Sequence, residues 1–299
     1  MTAPELDRLL LGDNPLIGVD HLSQERARER QARLDSGKVV EVIETALDSG
    51  AGGFLFSTHP IIYDALKEMK RKNTRREFGL YPLLPYAQTY VRIATEKGML
   101  GLAQEILSKL SWKGKARVVT AGLSLATANP SAILEAYVDS ELDILLHNVP
   151  PGANLKCVLL HEVITDLAAS LRSTEIIQSY ADHIRDTYHV RPGFATRNLV
   201  RFLTFAKETK LNLNEIVILT PFNKVGFQMN PTREACEAAI EESRPSNIIA
   251  MSILASGYLS LEEAAKYVQS LKAIKSYVVG VSTKRHAQDT FSYLSKQSV

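Results

Sequence analysis

PGFATRN (192–198), VILTPFNK (217–224), IIAMSILASG (248–257) and YVVGVST (277–283) are four short apolar runs, each ending in polar residues. Stretches with helical spacing separate them. Asn230-Pro231 opens one helix, Ser260-x-x-Glu263 forms a capping box before another, and Thr283 is placed to cap the last. Strand, helix, strand, helix with little between is the rhythm of parallel β/α units. A closed parallel barrel carries its working groups at the C-terminal ends of its strands, so the polar tails mark where chemistry is expected.

Working back toward the N-terminus, Leu9–Leu11 reads as the first strand and breaks at Asp13-Asn14-Pro15. A helix follows with Val39, Val40, Ile43, Ala46 and Leu47 on one face, Asp35 or Ser36 as N-cap and Gly50 as stop. Gly53–Ser57 and Phe78–Leu84 read as strands around a helix from Ile61 to Lys72. Tyr86–Leu110 reads as a long helix, Arg117–Leu123 and Asp143–His147 as strands, and Leu155–Leu171 as a helix with a buried His161. These readings give nine candidate strands for eight places, with Leu9–Leu11 or Arg117–Leu123 expected to lie outside the barrel.

The 299 residues suit one (β/α)8 TIM barrel domain spanning 1–299. A net charge of +2 argues against nucleic acid and acidic membrane surfaces as partners. No segment approaches the ~20 apolar residues of a membrane span, and MTAPELDRLLLGDNP has acids where a signal peptide needs bases. Cys157 and Cys236 show neither metal-like nor redox-like spacing, which suits a reducing compartment. The expectation is a cytoplasmic protein acting on a small-molecule substrate, with its oligomeric state left open.

From Asp143 onward the chain resembles the aldo-keto reductases, in particular their short barrel-only prokaryotic branches. The matching pieces are DILLH (143–147), GFATRN (193–198), VILTPFN (217–223), IIAMSILASG (248–257) and VVGVST (278–283), with GGFLFSTH (52–59) similar to the family's second strand. The resemblance implies an α/β barrel and a tetrad of tyrosine, lysine, aspartate and histidine. Here Ser57 stands where the aspartate belongs, Tyr63 is one residue out of register with the tyrosine, and no strand ends in threonine-lysine. His147 matches the histidine.

Each strand end then has a candidate role. His147 suits a general acid or an electrophile that polarises a carbonyl. Asp13, Asn14, Asp20, His21, His59 and His147 together are a candidate divalent-metal site of mixed ligands. The amides of Asn198 and Asn223 suit nicotinamide, and Lys224 suits a phosphate or a Schiff base. Ser256-Gly257 and Thr283-Lys284-Arg285 lie in the last two strand-to-helix turns, where free N–H groups and the helix dipole favour phosphate. Two cations in a first helical turn oppose that dipole unless an anion compensates them. The reading is an oxidoreductase-like barrel that binds a phosphorylated ligand, foremost NADP, and acts on a small carbonyl compound. The rivals are a metal- or lysine-assisted lyase or isomerase using His21, His59 or Lys224, and a non-catalytic ligand-binding barrel.

Overall fold

A computed structural model describes residues 5–19, 25, 35–73, 75–85 and 130–297. The expected helix at 86–110, the expected strand at 117–123, and Asp20 and His21 lie outside these residues.

The described chain forms a closed parallel barrel with helices on its outside. In order come β1 (Leu9–Gly12), α1 (Ser36–Asp48), β2 (Gly53–Ser57), α2 (Pro60–Arg71), β3 (Phe78–Leu84), α3 (Pro130–Asn148), β4 (Ala153–Leu155), β5 (Cys157–Leu160), α4 (Glu162–Leu171) and α5 (Thr174–His183). A turn of π-helix at Ile184–Tyr188 leads into β6 (Arg191–Ala195), α6 (Leu199–Glu208), β7 (Val217–Pro221), α7 (Arg233–Ser243), β8 (Ile248–Met251), α8 (Leu261–Ser270), β9 (Ile274–Gly280) and α9 (Lys284–Lys296). Neighbours run β2-β1-β9-β8-β7-β6-β5-β3, and the pairing of β2 with β3 closes the ring. β6 to β9 are consecutive parallel neighbours, as their spacing in sequence predicts.

Two expectations are corrected. Asp143–His147 is not a strand but the last turn of α3, whose buried Val138, Leu142 and Leu145 recur at helical spacing. Leu155–Leu171 is not one helix: Cys157–Leu160 is a fully buried strand, and the helix starts only at Glu162. β4 pairs with Phe78–Leu80 and β5 with Leu83 and Leu84, so the two fill one barrel place on either side of Lys156. The first strand is genuine and pairs with both β2 and β9.

Local signals set the helix starts. The Asp35 carboxylate accepts the Gly37 N–H at 2.8 Å, Ser260 and Glu263 cap α8 reciprocally, and Thr283 Oγ1 accepts the His286 N–H. The helix after Asn230-Pro231 begins later than expected, with Thr232 as its cap.

Alternation along the strands divides the core in two. Phe54, Phe56, Leu80, Leu160, Phe194 and Ile218 face the helices. Leu10, Leu55, Tyr81, Cys157, Leu159, Ala195, Leu219 and Ile249 fill the barrel interior. Near the N-terminal ends of the strands the interior holds a polar plug: the Tyr81 hydroxyl donates to the Asp7 carboxylate at 2.8 Å and accepts the Asp7 N–H at 2.8 Å. Gly53 and Gly79 make room for it, since a Cβ at Gly79 would lie 1.9 Å from Asp7 Oδ2 and 2.8 Å from the Tyr81 ring.

Tyr81→Phe keeps the ring and strips both Asp7 groups of their partner. The expected cost is about 1–3 kcal/mol, from a half-buried donor and acceptor left unmade. Equilibrium urea unfolding reads it, and an unchanged midpoint would show that the plug carries no stability.

Candidate active site

The C-terminal ends of the strands gather a polar mouth. β5 ends in His161, and 157, 159, 161 continues the interior alternation of Cys157 and Leu159. β6 ends in Thr196-Arg197-Asn198, and Arg197 continues the alternation of Gly193 and Ala195 in the same way.

His161 caps α4. Its Nδ1 accepts the Val163 N–H at 3.2 Å, and its own N–H donates to Leu84 O at 2.6 Å, tying β5 to β3. An imidazole that accepts at Nδ1 carries its proton on Nε2 when neutral. Among the described residues nothing meets that Nε2. Burial pushes the imidazole pKa down; Glu162 and Asp166 partly oppose this and Arg197 adds to it. The result is a neutral ring with a fixed donor.

His59 repeats the device at the end of β2. Its Nδ1 accepts the Ile61 N–H at 3.2 Å as the N-cap of α2, with Pro60 at the first helical position, and burial again lowers its pKa.

Arg197 joins the strand ends. Its Nε and Nη2 both donate to Glu162 Oε1 at 3.1 Å, and its Nη1 donates to Gln228 Oε1. Its backbone is held on both sides, N–H to Asp166 at 3.0 Å and carbonyl from Asn230 Nδ2 at 3.0 Å, while Thr196 Oγ1 donates to the other Asp166 oxygen. Burial pushes Glu162 up, but the charge and hydrogen bonds of Arg197 oppose it and the carboxyl is held below the usual range. Asp166 moves the other way, raised by burial against its hydrogen bonds.

Asp13 is the unusual acid. It ends β1, is 3% exposed, and accepts the Ser57 N–H at 2.7 Å. Burial raises its pKa to about 7 against the hydrogen bonds from Ser57 and its own backbone. Beside it Thr58 Oγ1 is buried with no partner among the described residues.

The residues singled out in the sequence fall in several places. His147 does not reach the mouth. It is exposed in the last turn of α3, its Nδ1 2.7 Å from Asp143 O, and its carbonyl accepts Lys70 Nζ from the end of α2, at the opposite end of the barrel. Its assignment to the barrel rim is overturned, because the apolar Ile144-Leu145-Leu146 belongs to a helix. Tyr63 lies between helices, its hydroxyl donating to Glu141 at 2.6 Å. Lys224 is exposed at the rim and pairs with Glu263 at 3.2 Å. Asn198 caps α6 through the Arg201 N–H, and Asn223 is fully buried, folding the loop after β7 through both directions of exchange with Phe227. Ser256 and Gly257 both have positive φ in the turn after β8, and a Cβ on Gly257 would meet nothing. Thr283, Lys284 and Arg285 open α9 as exposed residues. Among the described residues no group of three metal-type ligands comes together.

Sequence reasoning missed His161 as a strand end, along with Glu162, Asp166, Arg197 and Gln228. The signal was present: LLH occurs twice, at 145–147 and 159–161, and only the second is followed by an acid at a helix start. A cleft of ≈ 180 Å3 lined by Gln178, Asp182, Arg185, Pro192, Lys210 and Glu215 opens at the other end of the barrel. Its Arg185 is already paired with Asp182 and Glu215.

No protein-family profile matches the sequence, and no curated protein does. Solved structures do. Two structures of a Pseudomonas aeruginosa protein assigned to the aldo-keto reductases share 14% identity and a TM-score of 0.57, covering 97% of this chain and 90% or 89% of theirs. A glycerol dehydrogenase from Gluconobacter oxydans shares 10% identity and a TM-score of 0.55, over 98% of this chain and 88% of that one. The fold is an aldo-keto-reductase-like (β/α)8 barrel.

Asp13 makes stability pH-dependent with a defined sign. Its pKa is raised in the folded protein, so the unfolded chain releases the proton first. Stability is full below the ordinary carboxylate pKa of 3.8 and falls as pH rises toward about 7. The loss is on the order of 4 kcal/mol. Asp13→Asn should therefore melt higher than the wild type at pH 8, with the gain vanishing near pH 3. Calorimetric melts across that range check it, and parallel curves for the two proteins would refute the buried carboxyl's titration.

Proposed function

We propose that the protein is a nicotinamide-dependent oxidoreductase, with NADP as cofactor, that interconverts a small carbonyl compound and its alcohol. The observation that carries this reading is His161: a neutral imidazole at a strand end, its Nδ1 occupied by a helix cap and its Nε2–H without a partner among the described residues. That donor suits the oxygen of a carbonyl, which becomes more basic as it is reduced, so the bond strengthens along the reaction. Nicotinamide, when bound, supplies or takes the hydride.

The start of α9 fits the cofactor's phosphate. Thr283 Oγ1 satisfies only the His286 N–H, leaving the preceding first-turn N–H groups open, and Lys284 and Arg285 stand exposed beside them. Arg285 has only a long contact of 3.7 Å with Asp289, itself exposed. Gly257 in the neighbouring turn is open, with no atom within 4 Å of where a Cβ would stand. Asn198 and Asn223 are committed to a cap and to a loop, so neither is assigned to the nicotinamide amide. Tyr63, the tyrosine read from the sequence, lies outside the mouth; in this reading His161 holds the oxygen and Asp13, whose pKa lies near neutrality, is a proton source at the same end.

NADP and NAD binding by fluorescence titration is the first test. Changing both Lys284 and Arg285 to alanine should weaken NADP far more than NAD, because the 2′-phosphate is the group being read. Equal weakening of both would sink the phosphate assignment. His161→Ala should lower kcat for carbonyl reduction about 100-fold with NADP affinity unchanged. A fully active variant, or an intact protein that binds neither nucleotide, would leave a ligand-binding barrel instead.

A further inference from the structure

Hydrogen-bond acceptors at the mouth are largely engaged, while donors are left over. Glu162 Oε1 takes two N–H groups of Arg197, Asp166 takes Thr196 Oγ1 and the Arg197 N–H, and Gln228 Oε1 takes Arg197 Nη1 and Ser252 Oγ at 3.4 Å. A guanidinium has five N–H groups in one plane. Among the described residues three are used, one on Nε, one on Nη1 and one on Nη2, which leaves one on each terminal nitrogen. The Arg197 side chain is 30% exposed, its backbone is fixed on both sides, and its position follows the interior alternation of β6. The guanidinium is thus held in place with part of its fork unspent. His161 Nε2–H, ending the adjacent strand, is a second donor without a partner among the described residues.

A ligand that matches this pattern is rich in acceptors and anionic at one end. A carboxylate suits the remaining fork of an arginine, and a keto oxygen suits a single N–H. We infer that the mouth takes a small 2-oxo acid, its carboxylate on the free edge of Arg197 and its keto oxygen on His161 Nε2. The inference deepens the oxidoreductase reading and rests on it for the role of His161, but the binding site is testable without turnover. Glu162 has a defined part: it orients the guanidinium and also competes with the ligand for its charge.

Isothermal titration of the full chain with pyruvate and with its uncharged methyl ester, each with and without NADP, tests this directly. Pyruvate should bind at least roughly tenfold tighter than the ester, and Arg197→Lys should erase most of that difference because lysine lacks the fork. Glu162→Gln should tighten pyruvate several-fold and leave the ester unchanged. The double change Glu162→Gln with Arg197→Gln removes both charges together, avoiding an uncompensated buried acid; it should bind the two ligands equally while melting near the wild type. No preference for pyruvate, a preference that survives the double change, or no binding of either ligand would overturn the site. Pyruvate preference without NADP binding would keep the site and remove the oxidoreductase reading. NADP binding without the preference would do the reverse.

Discussion

Closure of the parallel ladder between β2 and β3 is the constraint from which the rest of the molecule follows. Once the ring is shut, strand residues are assigned to the barrel interior or the helix layer by parity, except at the irregular start of β9, where Ile274 and Tyr277 both face the helices. Parity carries past the last ladder bond. It puts His161 above Leu159 and Arg197 above Ala195, and these two residues, from strands that are hydrogen-bonded neighbours, share Glu162. The sheet places these two residues, and Gln228 and Asn230 of the loop after β7 then hold Arg197.

Glu162 and Asp13 show what burial does to an acid with and without a cation. Glu162 is deeply buried but has a guanidinium on one oxygen and stays ionised. Asp13 has only neutral donors, and burial wins. The chain could have avoided the second cost with an amide, since Ser57 N–H needs only an acceptor. A titrating carboxyl kept at a strand end is destabilising for the fold above its pKa, and the Thr58 hydroxyl adds a second buried group without a partner among the described residues.

The second half of the fold was legible because β6 to β9 are short, mostly buried runs separated by helices with clear caps, so length and capping agreed. The middle was not. A buried parallel strand and the buried turn of a helix are both continuous apolar runs of four or five residues, and periodicity cannot separate them at that length. Ile144-Leu145-Leu146 and Val158-Leu159-Leu160 are nearly the same word, each followed by histidine. Only the wider spacing of Val138, Leu142 and Leu145 marks the first as helical. The expected rim histidine shares that confusion: His147 reads as a strand end in the sequence, and the strand end is His161. Arg197 was invisible for another reason. Its value lies in Glu162 and Gln228, which are 35 and 31 residues away in sequence and adjacent only after the barrel closes.

The histidine caps tie the fold to the chemistry. An N-cap needs an acceptor for an early helix N–H, and serine, threonine or aspartate would serve. At 59 and 161 the chain uses imidazole instead, each with Nδ1 toward the helix. A hydroxyl in that place would satisfy the helix and stop there. Imidazole satisfies the helix with one nitrogen and is compelled to carry its proton on the other, so forming α4 selects the tautomer that aims a donor away from the helix. Protonating the ring would cost the cap its acceptor, which works in the same direction as burial in holding His161 neutral. The local rule that starts a helix therefore also fixes the polarity of the group at the mouth, and neither requires a loop to move.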